Sequence, residues 1–232
     1  MRFPRASVLV SASVLAVALF MPALQHAQDA DRKVSGGGIS VPGWQGKVDA
    51  RAASQGSSVA DSKFEKQGNG FEVVTGPASV YWNPANKASG DYSVSATFRE
   101  PKQTFSHAHP YGIFIGGSKL DSDQPDLVYC VAYRDGTFLV RGFSGGNVVN
   151  FTKRQPNDAV HKADSTDAEV TQQVGWNVKG GRAECVINGK VVAGFDKSEL
   201  VGADKLESLD GIAGLRFTHN TDVIVTDFKV SK

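Results

Sequence analysis

HPYGIFIGGSKLDSDQPDLVYCVAYRDGTFLVRGFSG, residues 109–145, is the stretch whose reading decides the fold. Read in steps of two, Tyr111, Ile113 and Ile115 fall on one side of a first run. Leu127, Tyr129, Val131 and Tyr133 do so in a second, and Phe138 and Val140 in a third. Successive side chains of an extended chain point to opposite faces, so a period of two marks a strand. Gly116-Gly117, Asp135-Gly136 and Ser144-Gly145 punctuate the runs with the residues that tight turns require. The block predicts an antiparallel meander with one face buried.

The same signature extends in both directions. From Asp91 to Arg99, Tyr92, Val94, Ala96 and Phe98 alternate with Ser93, Ser95, Thr97 and Arg99, which predicts a strand dry on one side and wet on the other. Arg182–Ile187 and Lys190–Phe195 flank Asn188-Gly189, a pair suited to the two positive-φ positions of a two-residue hairpin. Gly211–Thr218 and Val223–Val230 form a last pair of strands around His219 to Asp222. Helical patterning is confined to a turn near Asp196–Val201. Many short strands with turns about every ten residues describe a β-sandwich or jelly roll. Residues 152–172 are one long polar interval, read as a surface excursion or a lid over a groove.

The chain opens MRFPR and then runs from Ala6 to Leu24 without a charge before turning polar at Gln25. A basic start, an apolar core and a polar exit predict a secretory signal peptide over residues 1–27, with an uncleaved membrane anchor as the alternative, and so an exported protein, periplasmic or extracellular, with no integral membrane span after cleavage. Residues 28–43 combine charge, Gly36 to Gly38 and Pro42 and read as a linker, so the domain spans 44–232. Removing Arg2 and Arg5 from the 25 basic residues leaves 23 against 24 acidic ones. A near-neutral chain without a basic stripe argues against a nucleic-acid partner. Cys130 and Cys185 each fall within a predicted strand; export permits a disulfide, and the sequence leaves the pairing open.

The chemistry-bearing constellations are few. Glycoside hydrolysis ordinarily needs two carboxylates flanking a cleft. No strand here carries an alternating acid pair: Glu100 and Glu184 are isolated, and Asp121, Asp123 and Asp126 share a turn with Pro125. That turn could hold calcium but lacks an EF-hand pattern, and reads as a polar loop. His107-Ala108-His109 could place two imidazoles together, with a third metal ligand to come from His161 or His219. Nothing in the spacing requires it, so neither a metal nor another cofactor is expected. No Gly-x-Ser-x-Gly elbow and no phosphate-cradling loop before a helix are present. Sugar binding asks for aromatic faces and planar polar groups, which Trp82, Arg99, Tyr111, Tyr129, Tyr133 and Arg141 offer, although tyrosines at period two often belong to a core.

The succession HPYGIFIGGSKL, DLVYCVAYRDGTFLVRGFSGG, RAECVINGKVVAGF and DGIAGLRFTHNTDVIVTDFKV resembles the concanavalin A-like lectin/glucanase superfamily from about Trp44 to the end. More narrowly it is similar to exported bacterial laminin G-like proteins and to jelly-roll domains of 3-keto-disaccharide hydrolases. The resemblance implies two packed antiparallel sheets, with any ligand on a concave face or its rim. The glucanase branch carries its acids on a concave strand, whereas here Leu127 to Tyr133 has none. The reading is therefore an all-β, exported, non-catalytic lectin-like protein that binds a glycan or cell-envelope polysaccharide through Arg99, His107, His109, Tyr111, Tyr129, Tyr133 and Arg141. The alternatives are a glycoside hydrolase acting on modified disaccharides with acids from Glu100, Asp121 or Asp126, and a structural or adhesive module.

Overall fold

The structure is a computed structural model that describes residue 1 and residues 30–232. The predicted signal peptide lies outside the described residues. Among those described, no helix is long and apolar enough to cross a membrane. The chain runs through β1 (Gly38–Ile39), β2 (Gln45–Val48), a short helix α1 (Ala50–Ser54), β3 (Lys63–Gln67), β4 (Gly70–Val74), β5 (Ser79–Ala88) and β6 (Tyr92–Glu100). Next come the meander strands β7 (Tyr111–Ser118), β8 (Asp126–Ala132) and β9 (Thr137–Ser144), then β10 (Asn147–Asn150) and β11 (Gln155–Pro156). β12 (Val170–Lys179), β13 (Arg182–Ile187), β14 (Lys190–Asp196), α2 (Lys197–Leu200), β15 (Gly211–Phe217) and β16 (Asp222–Ser231) complete it.

These strands form an all-β jelly-roll sandwich. One sheet has the order β1-β3-β4-β16-β6-β12-β13-β14; the other has β10-β9-β8-β7-β15-β5-β2, with β11 also on β9. All pairings of named strands are antiparallel apart from the two-residue contact of β1 with β3. The expected meander is observed, with Ile113 opposite Cys130 and Cys130 opposite Val140. The Asn188-Gly189 hairpin also forms, Asn188 at φ 49° and Gly189 at φ 80°.

In the first sheet the predicted alternation holds: Tyr92, Val94, Ala96 and Phe98 enter the sandwich, and the Ser, Thr and Arg positions between them face out. The expectation of one buried face fails for β7 and β8, where nearly every residue is buried. Tyr111, Ile113, Ile115, Val128, Cys130 and Ala132 pack against Phe98, Val174 and Trp176 of the opposite sheet. Leu127, Tyr129, Val131 and Tyr133 project from the other side into a second apolar cluster with Val80, Trp82, Phe114 and Leu139. A central strand covered on both faces is apolar throughout, and alternation along one strand does not reveal the second cover.

The two sheets are tied at the centre by a Cys130–Cys185 disulfide, Cα to Cα 6.1 Å, between β8 and β13. Trp176, in register with Cys185, reaches across and donates its indole N–H to the Ile113 carbonyl at 3.1 Å. Two connecting segments differ from expectation. In the stretch read as a linker, half-buried Arg32 donates from Nε to the Thr75 carbonyl at 2.8 Å and from Nη2 to the Thr221 carbonyl, so the domain's packed body begins before Trp44. In the long polar interval, buried Arg134 donates to the carbonyls of Ser165 at 3.0 Å and Thr166 at 3.2 Å, and Asn188 Nδ2 donates to the Ala159 carbonyl at 2.7 Å. That segment is anchored to the sandwich by its backbone.

Candidate functional site

The outer face of the second sheet carries an aromatic cluster with charged side chains beside it. Its aromatic floor comes from alternate positions of neighbouring strands: Trp82 on β5, Phe114 on β7, and Tyr129 and Tyr133 on β8. Phe143 on β9 joins the edge of this floor, its ring centroid 6.0 Å from that of Tyr129. Gly214 of β15 lies beneath Phe114, where an added Cβ would come within 2.6 Å of the ring; only a glycine leaves room for it. Trp82 and Tyr129 are 4% exposed and Tyr133 9%, so they present edges and hydroxyls rather than open stacking faces.

Cations stand on this floor. Arg216 follows the inward-facing Leu215 on β15 and points outward, with its guanidinium 5.1 Å from the Tyr129 ring centroid and 5.4 Å from that of Phe143. Asp49, just after β2, accepts from both terminal nitrogens, Oδ2 lying 2.7 Å from Nη2. Burial alone would lower the Arg216 pKa; the Asp49 carboxylate outweighs it, and the guanidinium is held above its usual value. Arg154 sits over Tyr133, Cζ 3.9 Å from the centroid, close enough for a cation–π contact. It also donates to Thr137 Oγ1 at 2.9 Å and pairs with Asp135. Arg141 donates from Nε to Asn150 Oδ1 at 2.7 Å. Burial raises the pKa of the Tyr129 and Tyr133 phenols, and the nearby arginines only partly offset it, so both stay neutral donors.

The predicted residues do not share one place. Tyr129, Tyr133 and Arg141 meet on this face. Tyr111 is fully buried between the sheets, where burial and then the neighbouring Glu100 raise its hydroxyl pKa, and it opens onto no groove. Arg99 belongs to the outer side of the other sheet and pairs with Glu169 at 2.7 Å. His107 and His109 lie in the loop between β6 and β7, with ring centroids 4.6 Å apart, and His219 comes within 4.4 Å of His109. His161 lies apart and engages the Thr171 carbonyl at 2.8 Å. Sequence reasoning missed Arg216, Arg154 and Asp49. A charged residue inside the apolar run Gly211–Phe217 was the available signal, because a buried charge requires a partner.

The acids considered for hydrolysis are separated. Glu100 faces the sandwich interior and meets Arg134 at 3.1 Å, near the Tyr111 end of β7. Asp126 lies at the opposite end of β8, where it accepts from the Gly145 N–H at 2.8 Å; the seven residues of the strand span about 20 Å. In the turn read as a possible calcium loop, Lys47 Nζ takes the Asp121 carbonyl at 3.0 Å and the Asp123 carboxylate at 2.8 Å. On the aromatic face Asp49 pairs with Arg216 and Asp135 with Arg154.

No protein-family model matches the sequence, and no curated protein does. Solved structures do match in shape. The carbohydrate-binding module CBM66 from Bacillus subtilis aligns with a TM-score of 0.56 at 9% identity, covering 84% of this chain and 99% of its own. A glycoside hydrolase family 16 endo-glucanase from Bacteroides ovatus aligns at 0.53 and 9% identity over 81% and 94%. A Bacillus subtilis protein of unknown function with a galectin-like fold aligns at 0.52 and 13% over 81% and 88%. These likenesses show the jelly-roll fold shared by lectin-like modules and glucanases.

Proposed function

We propose that this concanavalin A-like jelly roll is an exported, non-catalytic, lectin-like protein that binds a glycan or cell-envelope polysaccharide on the outer face of its second sheet. The observation that carries the reading is the set of Arg141 and Arg154 beside Tyr129 and Tyr133. Guanidinium groups present forked donors suited to sugar hydroxyls and carboxylates, and neutral phenol hydroxyls add donors beside them. Fold neighbours named as a carbohydrate-binding module and an endo-glucanase support the ligand class. The disulfide supports an oxidising compartment, periplasmic or extracellular. Acids of the aromatic face paired with arginines, together with the distance between Glu100 and Asp126, argue for binding over hydrolysis of modified disaccharides.

Affinity electrophoresis against a panel of neutral and acidic polysaccharides tests the reading. Retardation by at least one polysaccharide is expected, weakened about tenfold in Arg154→Ala, whose side chain is partly exposed and lies outside the core. No retardation across the panel would overturn it. The near-complete burial of Trp82, Tyr129 and Tyr133 favours a second reading, a structural or adhesive module, and that is the reading a silent panel would leave standing.

A further inference from the structure

We propose that His107, His109 and His219 form a binding site for a divalent transition-metal ion, zinc foremost. One nitrogen from each imidazole lies within 4.8 Å of the other two. Three imidazoles are a ligand set that favours zinc, copper or nickel over calcium or magnesium, and three protein ligands leave a fourth position for water or another ligand. A tetrahedral zinc site needs ligand nitrogens about 3.4 Å apart. Closing from the widest spread of 4.8 Å shortens a nitrogen–nitrogen distance by about 1.4 Å, and His107 lies at an exposed position.

The cluster is held by its surroundings. Thr218 donates from both its backbone N–H and its hydroxyl to the Pro110 carbonyl, each at 3.1 Å, which fixes the β15–β16 turn bearing His219 against the segment bearing His109. His219 Nδ1 meets Asp31 Oδ1 at 2.8 Å. Asp31 is itself positioned from both sides, because Asn220 donates to the Ala30 carbonyl at 3.0 Å and accepts from the Arg32 N–H at 2.9 Å. A carboxylate on Nδ1 fixes the tautomer that leaves the Nε2 lone pair for a metal, the usual outer-shell support of a zinc-bound histidine. His107 Nδ1 lies 3.0 Å from Ser106 Oγ. Asp31 is thus a positioning residue, and the three histidines are the ligands.

Titration of the untagged chain with zinc against a chromophoric chelator tests this. One equivalent should bind in the micromolar range or tighter, and cobalt in its place should show the visible bands of a four-coordinate site. His107→Ala and His219→Ala should each weaken zinc by more than tenfold, and Asp31→Asn by about tenfold. His161→Ala should match the unmodified chain. Circular dichroism confirms folding of each variant, and His107→Gln, at an exposed position, serves if His219→Ala does not fold. Absence of stoichiometric binding, or binding unchanged in His107→Ala or His107→Gln, would overturn the site; full affinity in Asp31→Asn would overturn the positioning role. The readout is independent of glycan binding.

Discussion

Arg216 can carry its charge in the middle of an apolar strand because Asp49 meets both terminal nitrogens of its guanidinium. Such a pair is weak evidence of net stability, since each ion has lost water; the large cost comes from removing one partner. Arg216→Met, which strands the Asp49 carboxylate beside an apolar face, should destabilise the fold by about 3 kcal/mol in urea unfolding. The double variant Arg216→Met with Asp49→Leu should recover most of that loss. Equal losses in the single and double variants would show that packing of the guanidinium stem, and not the orphaned charge, sets the cost. Asn188 shows a different residue-scale economy. Its positive φ serves the hairpin, and its side chain also bonds Gln172 and the Ala159 carbonyl, so one turn residue joins the hairpin to the long connecting segment.

At the scale of elements, β8 is the strand that both sheets depend on. Its inner side gives Val128, Cys130 and Ala132 to the sandwich, and its outer side gives Tyr129 and Tyr133 to the aromatic face. The Cys130–Cys185 bond joins β8 to β13 across a sequence separation of 55. Closing a loop of that length removes unfolded-chain entropy worth about 4 kcal/mol. Replacing both cysteines with alanine should lower the unfolding free energy by a comparable amount, checked by denaturant titration. Because both sulfurs are fully buried, the folded protein should resist a reductant that opens the bond readily in urea. Rapid reduction of the native protein would contradict this placement.

At the scale of the molecule, the N-terminal segment closes one end of the sandwich. Arg32 spans the carbonyls of Thr75 and Thr221, and Asn220 grips the backbone on either side of Asp31. A chain beginning at residue 37 loses these bonds, each worth about 1 kcal/mol net, while one beginning at residue 30 keeps them. The shorter form should melt about 10 °C lower by calorimetry, and identical melting of the two would restore the view of this stretch as a passive tether. The same segment supplies Asp31 to the histidine cluster, so the shorter form should also bind zinc more weakly.

The sequence by itself determined the all-β class, the meander of residues 109–145 and the Asn188-Gly189 hairpin. All follow from local rules: period-two burial and the φ demands of turns. It also singled out Tyr129, Tyr133 and Arg141, which the fold brings to one face. Only the tertiary structure decided that Tyr111 faces the interior, that Arg99 belongs to the other sheet and that Cys130 meets Cys185. It alone brought His219, 110 positions beyond His109 in the chain, to the His107–His109 pair. Alternation tells which residues share a side of a strand; it does not tell which side is in, nor which strands become neighbours. Those depend on the order of strands in the sheets and on what covers each face, and both are properties of the assembled sandwich.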